Sequence, residues 1–225
     1  MKIILLHGDH ESKIAERLTK FIDVARVRKW KIERLGGSDS SNIRESVANT
    51  SLFDENKFYI LENPRKLKKS DAIWLKKNHK RNNSTLVIVN HGQLVKTAIS
   101  ALPTPEKEEV FELPKKIWNF LDSMYPGNAW VALRLLHEAT QKEAIELVYA
   151  LLARHLRDLY IVKINADGLK IPPWRGKKLS LQAQKYSKSQ LKGLIRALAN
   201  ADYEAKTGGA DLGSALDLMV ATRLE

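Results

Sequence analysis

His7-Gly8-Asp9-His10-Glu11-Ser12-Lys13 follows directly on the apolar run Ile3–Leu6. A strand handing over to a helix at such a place can hold phosphate, because the helix N-terminus offers free N–H groups and a positive dipole end. The residue types argue against that chemistry. A phosphate loop needs a second glycine followed by Lys and Ser or Thr, and only Gly8 is present. Asp9 and Glu11 place negative charge where phosphate would sit, and Lys13 alone does not compensate. The turn is therefore expected not to bind ATP in the usual way. His7 and His10 lack a third ligand in evidence, which makes a weak metal site, and a capping or solvated role is expected for them. Glu106, Glu108 and Glu109, with Lys107 among them, read as a solvated linker. His155 reads as a satisfied core or boundary histidine. No Ser-His-Asp, zinc-binding or paired-carboxylate signature stands out, so no catalytic residue, metal or cofactor is expected.

Two other features are candidates for binding. The chain has 225 residues and a net charge of +12, an excess that points to a polyanion, with general solubility as the alternative. The excess recurs in clusters: Arg65, Lys66, Lys68 and Lys69; Lys76, Lys77, Lys80 and Arg81; and Lys170, Arg175, Lys177 and Lys178. The basic segment Leu67–Arg81 either tracks a phosphate backbone or forms a solvated outer face. Trp174, between Pro173 and Arg175, either stacks on a base or pins a loop onto a helical core, and the pinning role is expected. The second feature is Leu52-Phe53 in the stretch SLFDENKFYILEN. Two adjacent large apolar residues at an element boundary either tuck into the local core or project toward a partner.

The elements that must position these residues are legible in the pattern. Lys2–Leu6, Trp30–Leu35, Lys57–Leu61, Thr85–Asn90 and Glu109–Leu113 read as strands, with helical segments between them. Asp9 is placed to cap the first helix, and Asn42 with Glu45 forms a capping box for a short helix carrying Ile43 and Val47. Ile73 and Trp74 read as the apolar anchors of the basic segment. Strands separated by helices imply crossover connections and a mainly parallel sheet. After Pro114 the pattern is helical only. Its stripes are Ile117, Phe120 and Leu121; Trp130, Leu133 and Leu136 or His137; and a long one from Ala144 to Val162. Asn165–Lys177 reads as a loop. Capping boxes at Thr140/Glu143 and Ser187/Gln190, and a glycine stop at Gly208-Gly209, punctuate the helices. The fold class is thus α/β plus all-α, with residues 1–113 as an α/β domain and 114–225 as an all-helical domain. There are no cysteines, which removes disulfides and thiolate chemistry. No run approaches 18 apolar residues, so no membrane contact and a soluble cytoplasmic protein are expected.

Several of these pieces, taken in order, resemble the delta subunit of bacterial DNA polymerase III. They are the turn His7-Gly8-Asp9, then Thr50-Ser51-Leu52-Phe53 before a strand ending Leu61-Glu62-Asn63. In the second half they are Pro173-Trp174, Lys178-Leu179, Gln182-Ala183-Gln184, Tyr186-Ser187, Leu191, Ala201-Asp202 and Lys206-Thr207-Gly208. The resemblance implies an AAA+/P-loop-like α/β domain with a degenerate nucleotide site, followed by a helical collar domain. It implies a clamp-loader subunit that binds and opens the sliding clamp for loading on primed DNA, without an active site of its own. Leu52 and Phe53 would be the wedge entering the clamp, with Thr50 and Ser51 beside them. The implied partners are the sliding clamp (beta), the gamma/tau motor subunits, delta prime and primed DNA. Family members carry a helical lid between the two domains. Here Phe111-Glu112-Leu113 runs almost directly into the next helix, so the lid is expected to be missing or reduced. The alternative function is a stand-alone basic nucleic-acid-binding protein.

Overall fold

The computed structural model describes residues 1–35, 43–48, 56–64, 67–78, 84–165, 168–169 and 171–225. The chain divides into two compact units, Met1–Leu113 and Pro114–Glu225.

In the first unit, β1 (Lys2–Gly8), β2 (Lys31–Leu35), β3 (Lys57–Glu62), β4 (Thr85–His91) and β5 (Lys107–Val110) form one sheet in the order β2-β3-β4-β1-β5. Every adjacent pair is parallel. The three central strands are buried along almost their whole length, while β2 and β5 at the edges are largely polar. This is what a sheet covered on both faces requires. The alternation of side chains sorts the core into two layers. Ile4, Leu6, Phe58, Ile60, Val87 and Val89 pack against α1 (Glu11–Val27) through Ile14, Leu18, Phe21 and Ala25. Ile3, Leu5, Tyr59, Leu61, Leu86 and Ile88 face the other way, onto α2 (Ile43–Ala48), α3 (Lys69–Asn78) and α4 (Lys96–Ala101).

The anchors of α3 differ from the expected ones. Ala72 and Leu75 are buried, Trp74 packs partly against the core, and Ile73 is 56% exposed. A helix this short presents a narrow stripe to the sheet, and its phase falls one residue away from Ile73. The fifth strand is Lys107–Val110 and not Glu109–Leu113. Its charged sequence hides it, because an edge strand pairs through backbone and leaves side chains in water. Helix α4 carries no strong periodic signal and has no counterpart among the expected elements.

Only residues 111–114 separate β5 from α5 (Lys115–Ser123), so no helix intervenes between the two units. The second unit continues with α6 (Ala129–Thr140), α7 (Ile145–Ile164), α8 (Pro173–Gln184), α9 (Lys188–Thr207) and α10 (Leu212–Leu224). Helix α7 supplies the centre: Val148, Leu152, Leu156 and Leu159 are fully buried and pack beneath α8 and α9. Ser187 and Gln190 close a reciprocal capping box at the start of α9, and Gly208 ends that helix with φ 79°, a left-handed geometry that suits glycine.

Three expected helix boundaries are corrected. Helix α1 is entered at His10 without a side-chain cap, so Asp9 does not cap it. Thr140 is the last residue of α6 and donates its hydroxyl back to the Leu136 and His137 carbonyls; α7 begins after Ala144 without a side-chain cap. The expected loop 165–177 is already helical from Pro173, whose fixed φ suits a first-turn position. Asn42, the expected cap of α2, lies outside the described residues.

Candidate functional site

The β1–α1 turn can be built atom by atom. The Gly8 N–H donates to the Gly92 carbonyl at 3.3 Å, and the Gly92 N–H returns to the Gly8 carbonyl at 2.8 Å. The His10 N–H donates to the Phe111 carbonyl at 3.0 Å, and the Phe111 N–H donates to the His7 carbonyl at 2.8 Å. The Glu11 N–H reaches the Asp9 carbonyl at 3.2 Å. A phosphate cradle needs such N–H groups free and convergent. Here the chain consumes them itself. Gly8 has φ 138°, and a β-carbon placed there would lie 2.1 Å from the Phe111 carbonyl oxygen. Backbone therefore packs directly against the glycine, which explains why a glycine stands there without a phosphate loop around it.

The two histidines of this turn are buried rather than solvated, which corrects the expectation. His7 Nδ1 accepts the Leu94 N–H at 3.3 Å. That places the proton on Nε2, which donates to Glu108 at 2.9 Å. His10 Nδ1 and the Ser12 hydroxyl are 3.1 Å apart. The acids expected as a linker are corrected with them. Glu108 holds His7, and Glu109 receives two parallel bonds from Arg17, at 2.8 and 2.9 Å. The Arg17 hydrogen bonds hold the Glu109 carboxyl below the usual range, with Lys107 assisting. Both pairs staple β5 to the turn and to α1. Sequence reasoning misses them because the partners are about a hundred residues apart. Among the described residues no group of three His, Asp or Glu could hold a metal ion.

Thr50, Ser51, Leu52 and Phe53 lie outside the described residues, as do Arg65, Lys66, Lys80, Arg81 and Lys170. The elements on either side of the Leu-Phe pair are described and firmly held. The Tyr59 hydroxyl of β3 donates to the Ser46 carbonyl of α2 at 2.7 Å, and Arg44 of α2 donates to the buried Asp71 of α3 at 2.8 Å. A cavity of 430 Å³ opens between α3 and α4, floored by Leu67, Ala72, Leu94 and Leu102 and edged by Lys69 and Lys76.

In the helical unit, His155 is buried and its Nε2 lies 3.0 Å from Gln182 Oε1. Gln182 Nε2 donates to the Leu121 and Met124 carbonyls at 2.8 and 2.7 Å. With its amide nitrogen so engaged, Gln182 must accept from His155 through oxygen. Burial pushes the His155 pKa down to about 4, against a smaller upward pull from the Gln182 hydrogen bond. This is the expected satisfied core histidine, and it has the character of a structural group. Asp158 is also buried, held by Arg157 at 2.9 Å and faced by Arg175 at 3.8 Å.

Trp174 departs from expectation. It is 69% exposed at the start of α8 and pins nothing. The residue that packs in this neighbourhood is Arg175, whose guanidinium lies over Trp118. Trp130 is likewise 74% exposed, because α6 buries Ala132, Leu136 and Ala139 instead.

A parallel α/β unit followed by an all-helical unit is the α/β plus all-α fold class expected from the sequence. Residues 114–223 match the family model described as DNA polymerase III delta subunit, C-terminal domain. The resemblance to the delta subunit is thus borne out by an independent comparison. Among solved structures, the DNA clamp loader delta protein of Bacillus subtilis aligns at 15% identity over 100% of this chain and 95% of its own, with a TM-score of 0.43. A DNA polymerase III gamma subunit-related protein of Thermotoga maritima aligns at 15% identity over 99% of this chain and 93% of its own, with a TM-score of 0.36. No curated protein matches the sequence. Among the described residues no helix is long and apolar enough to cross a membrane.

Proposed function

We propose that the chain is a clamp-loader delta-like subunit that binds the sliding clamp and biases it toward opening on primed DNA. The observation that carries this reading is the match of residues 114–223 to the family of delta C-terminal domains. The closed β1–α1 turn supports a part that does not hydrolyse ATP. Its partners would be the clamp, the gamma/tau motor subunits and delta prime, joined through the helical unit.

Leu52 and Phe53 are the proposed wedge, with Thr50 and Ser51 beside them. The segment that bears them joins α2 to β3, and the Tyr59–Ser46 and Arg44–Asp71 contacts fix its base. A rigid base matters, because a wedge transmits force only if its mount does not yield. Burying a Leu and a Phe supplies roughly 3 to 6 kcal/mol before association costs, enough for a hot spot and not for a whole interface. If the pair fits a spread clamp interface better than a closed one, that differential affinity shifts the ring toward the open state.

The test is the double substitution Leu52→Ala with Phe53→Ala, assayed on the cognate sliding clamp by surface plasmon resonance. A loss of at least 30-fold in affinity with an unchanged melting curve is expected, corresponding to about 2 kcal/mol. Unchanged affinity refutes the wedge.

A further inference from the structure

The cavity between α3 and α4 is apolar inside and cationic at its mouth. Leu67, Ala72, Leu94 and Leu102 form its floor, and the alanines that line it are too short to fill its 430 Å³. Ile73 stands at the rim, 56% exposed. The mouth is therefore open to water. A small molecule would be covered on one side only there, whereas sites for small ligands enclose most of the ligand's surface. An open apolar trough suits the side chains of another polypeptide.

Helix α3 turns one face to this cavity. Lys69, Ala72, Ile73 and Lys76 line it, at i, i+3, i+4 and i+7. The two lysines stand two turns apart, about 10 Å along the axis, with Ile73 between them. Both are exposed. Lys76 Nζ donates to the Ser100 carbonyl of α4 at 3.1 Å, which holds its ammonium at the rim. Lys69 forms no ion pair among the described residues. It also stands in the first turn of α3, where the helix dipole disfavours a cation. The acid of that turn, Asp71, is buried and engaged by Arg44 at 2.8 Å. Among the described residues that line the cavity there is neither Asp nor Glu. A helix shaped for stability alone would carry the opposite charge at that end.

The complement of this face is an amphipathic helix with carboxylates at i and i+7 and large apolar side chains at i+3 and i+4. Laid along α3, it sets one carboxylate beside each lysine and its apolar pair in the trough. Other anionic partners fit less well. Among the described lining residues there is no Phe, Tyr or Trp, so unpaired bases find no ring to stack on. Insertion into a membrane surface needs a projecting apolar face, and this one is recessed.

We propose that the α3–α4 cavity is a docking site for an acidic amphipathic helix of a partner protein, with Lys69 and Lys76 on its carboxylates and its apolar side chains over Ala72 and Leu102. The site belongs to the sheet unit and does not rest on the clamp reading.

The probe is a fluorescein-labelled, alanine-based peptide of about 16 residues, long enough to form a helix, with Glu at i and i+7 and Phe and Leu at i+3 and i+4. Fluorescence anisotropy with the full chain is expected to show micromolar binding. Ala101→Trp sets a large ring in the mouth from an exposed position and is expected to lose at least 30-fold. The combined K69Q and K76Q variant is expected to lose about 10-fold at low salt, a difference that closes near 1 M salt, where screening acts over about 3 Å. Both variants change exposed residues, and their urea transitions should match that of the unsubstituted chain. A peptide with Ser in place of Phe and Leu should not bind. Lysine acetylation of the unsubstituted chain, read by mass spectrometry with and without the peptide, needs no variant: Lys69 should be protected. Equal binding of a peptide with Lys in place of Glu, unchanged affinity in Ala101→Trp, or displacement of the peptide by equimolar oligo-dT overturns the proposal. The same chains are assayed on the sliding clamp. Peptide binding by a chain that does not hold the clamp sinks the clamp reading and leaves this site standing; clamp binding without peptide binding does the reverse.

Discussion

The β1–α1 turn and the α8–α9 face treat polar groups in opposite ways. In the turn, Gly8, His10, Glu11 and Phe111 give their N–H groups to neighbouring carbonyls, and His7 is engaged at both ring nitrogens. On the α8–α9 face, the exposed Lys177, Lys188, Lys192 and Arg196 form no ion pair among the described residues. Buried polar groups must be satisfied within the protein, because leaving them unpaired costs far more than the net gain of pairing them. Exposed groups carry no such demand. The contrast is one of burial: the turn spends the N–H groups of Gly8, His10 and Glu11 on its own carbonyls, whereas the α8–α9 face leaves four cations without an ion pair among the described residues. The first region stands at a strand-to-helix turn without the residues of a phosphate loop; the second has no recognisable motif and leaves its charge exposed.

The sharpest way to break this contrast is to disturb the turn. Gly8→Ala forces a β-carbon against the Phe111 carbonyl at a positive φ. With both steric overlap and backbone strain, the sheet unit should lose about 3 kcal/mol or more, read as an earlier urea transition by circular dichroism. A neutral outcome would mean that Phe111 can withdraw and that the turn is not closed. The helical unit offers a slightly smaller effect through acid. His155 is held neutral by burial, with its pKa lowered from 6.5 to about 4. Its stabilising contribution is complete above pH 6.5 and is lost as pH falls toward 4, because the unfolded chain takes the proton first. A fall on the order of 3 kcal/mol across that window is expected, and His155→Gln should flatten most of it. The smallest effect belongs to the partly exposed staple of β5. Arg17→Ala should cost about 1 kcal/mol, because the pair is bidentate but solvent screens it. Guanidinium or urea melts of that variant should show the sheet unit alone affected.

Much of this is legible from periodicity. The central strands, the long stripe of α7 and the Ser187/Gln190 and Gly208 punctuation all arise from local rules, in which burial and backbone geometry repeat every two or every 3.6 residues. The errors cluster where one residue serves two readings. Trp130 and Trp174 are expected inward because large aromatics usually are, yet α6 buries Ala132, Leu136 and Ala139, α8 buries Leu179, Gln182 and Ala183, and both indoles are left outside. Thr140 and Glu143 fit a capping box in sequence, but α6 keeps Thr140 as its own last residue. The wedge residues Leu52 and Phe53 rest on the resemblance, and their segment lies outside the described residues.

Composition and spacing by themselves determined the division into an α/β half and a helical half, the loss of the phosphate-loop residues and the acid-free run between Asp167 and Asp202. These depend only on which residues are present and in what order. Tertiary structure alone decided that Glu108 and Glu109 staple an edge strand, that His7 is a buried donor, and that Trp130 and Trp174 are left exposed. Those outcomes depend on which distant groups meet, and loop closure over about a hundred residues leaves no local trace in the sequence.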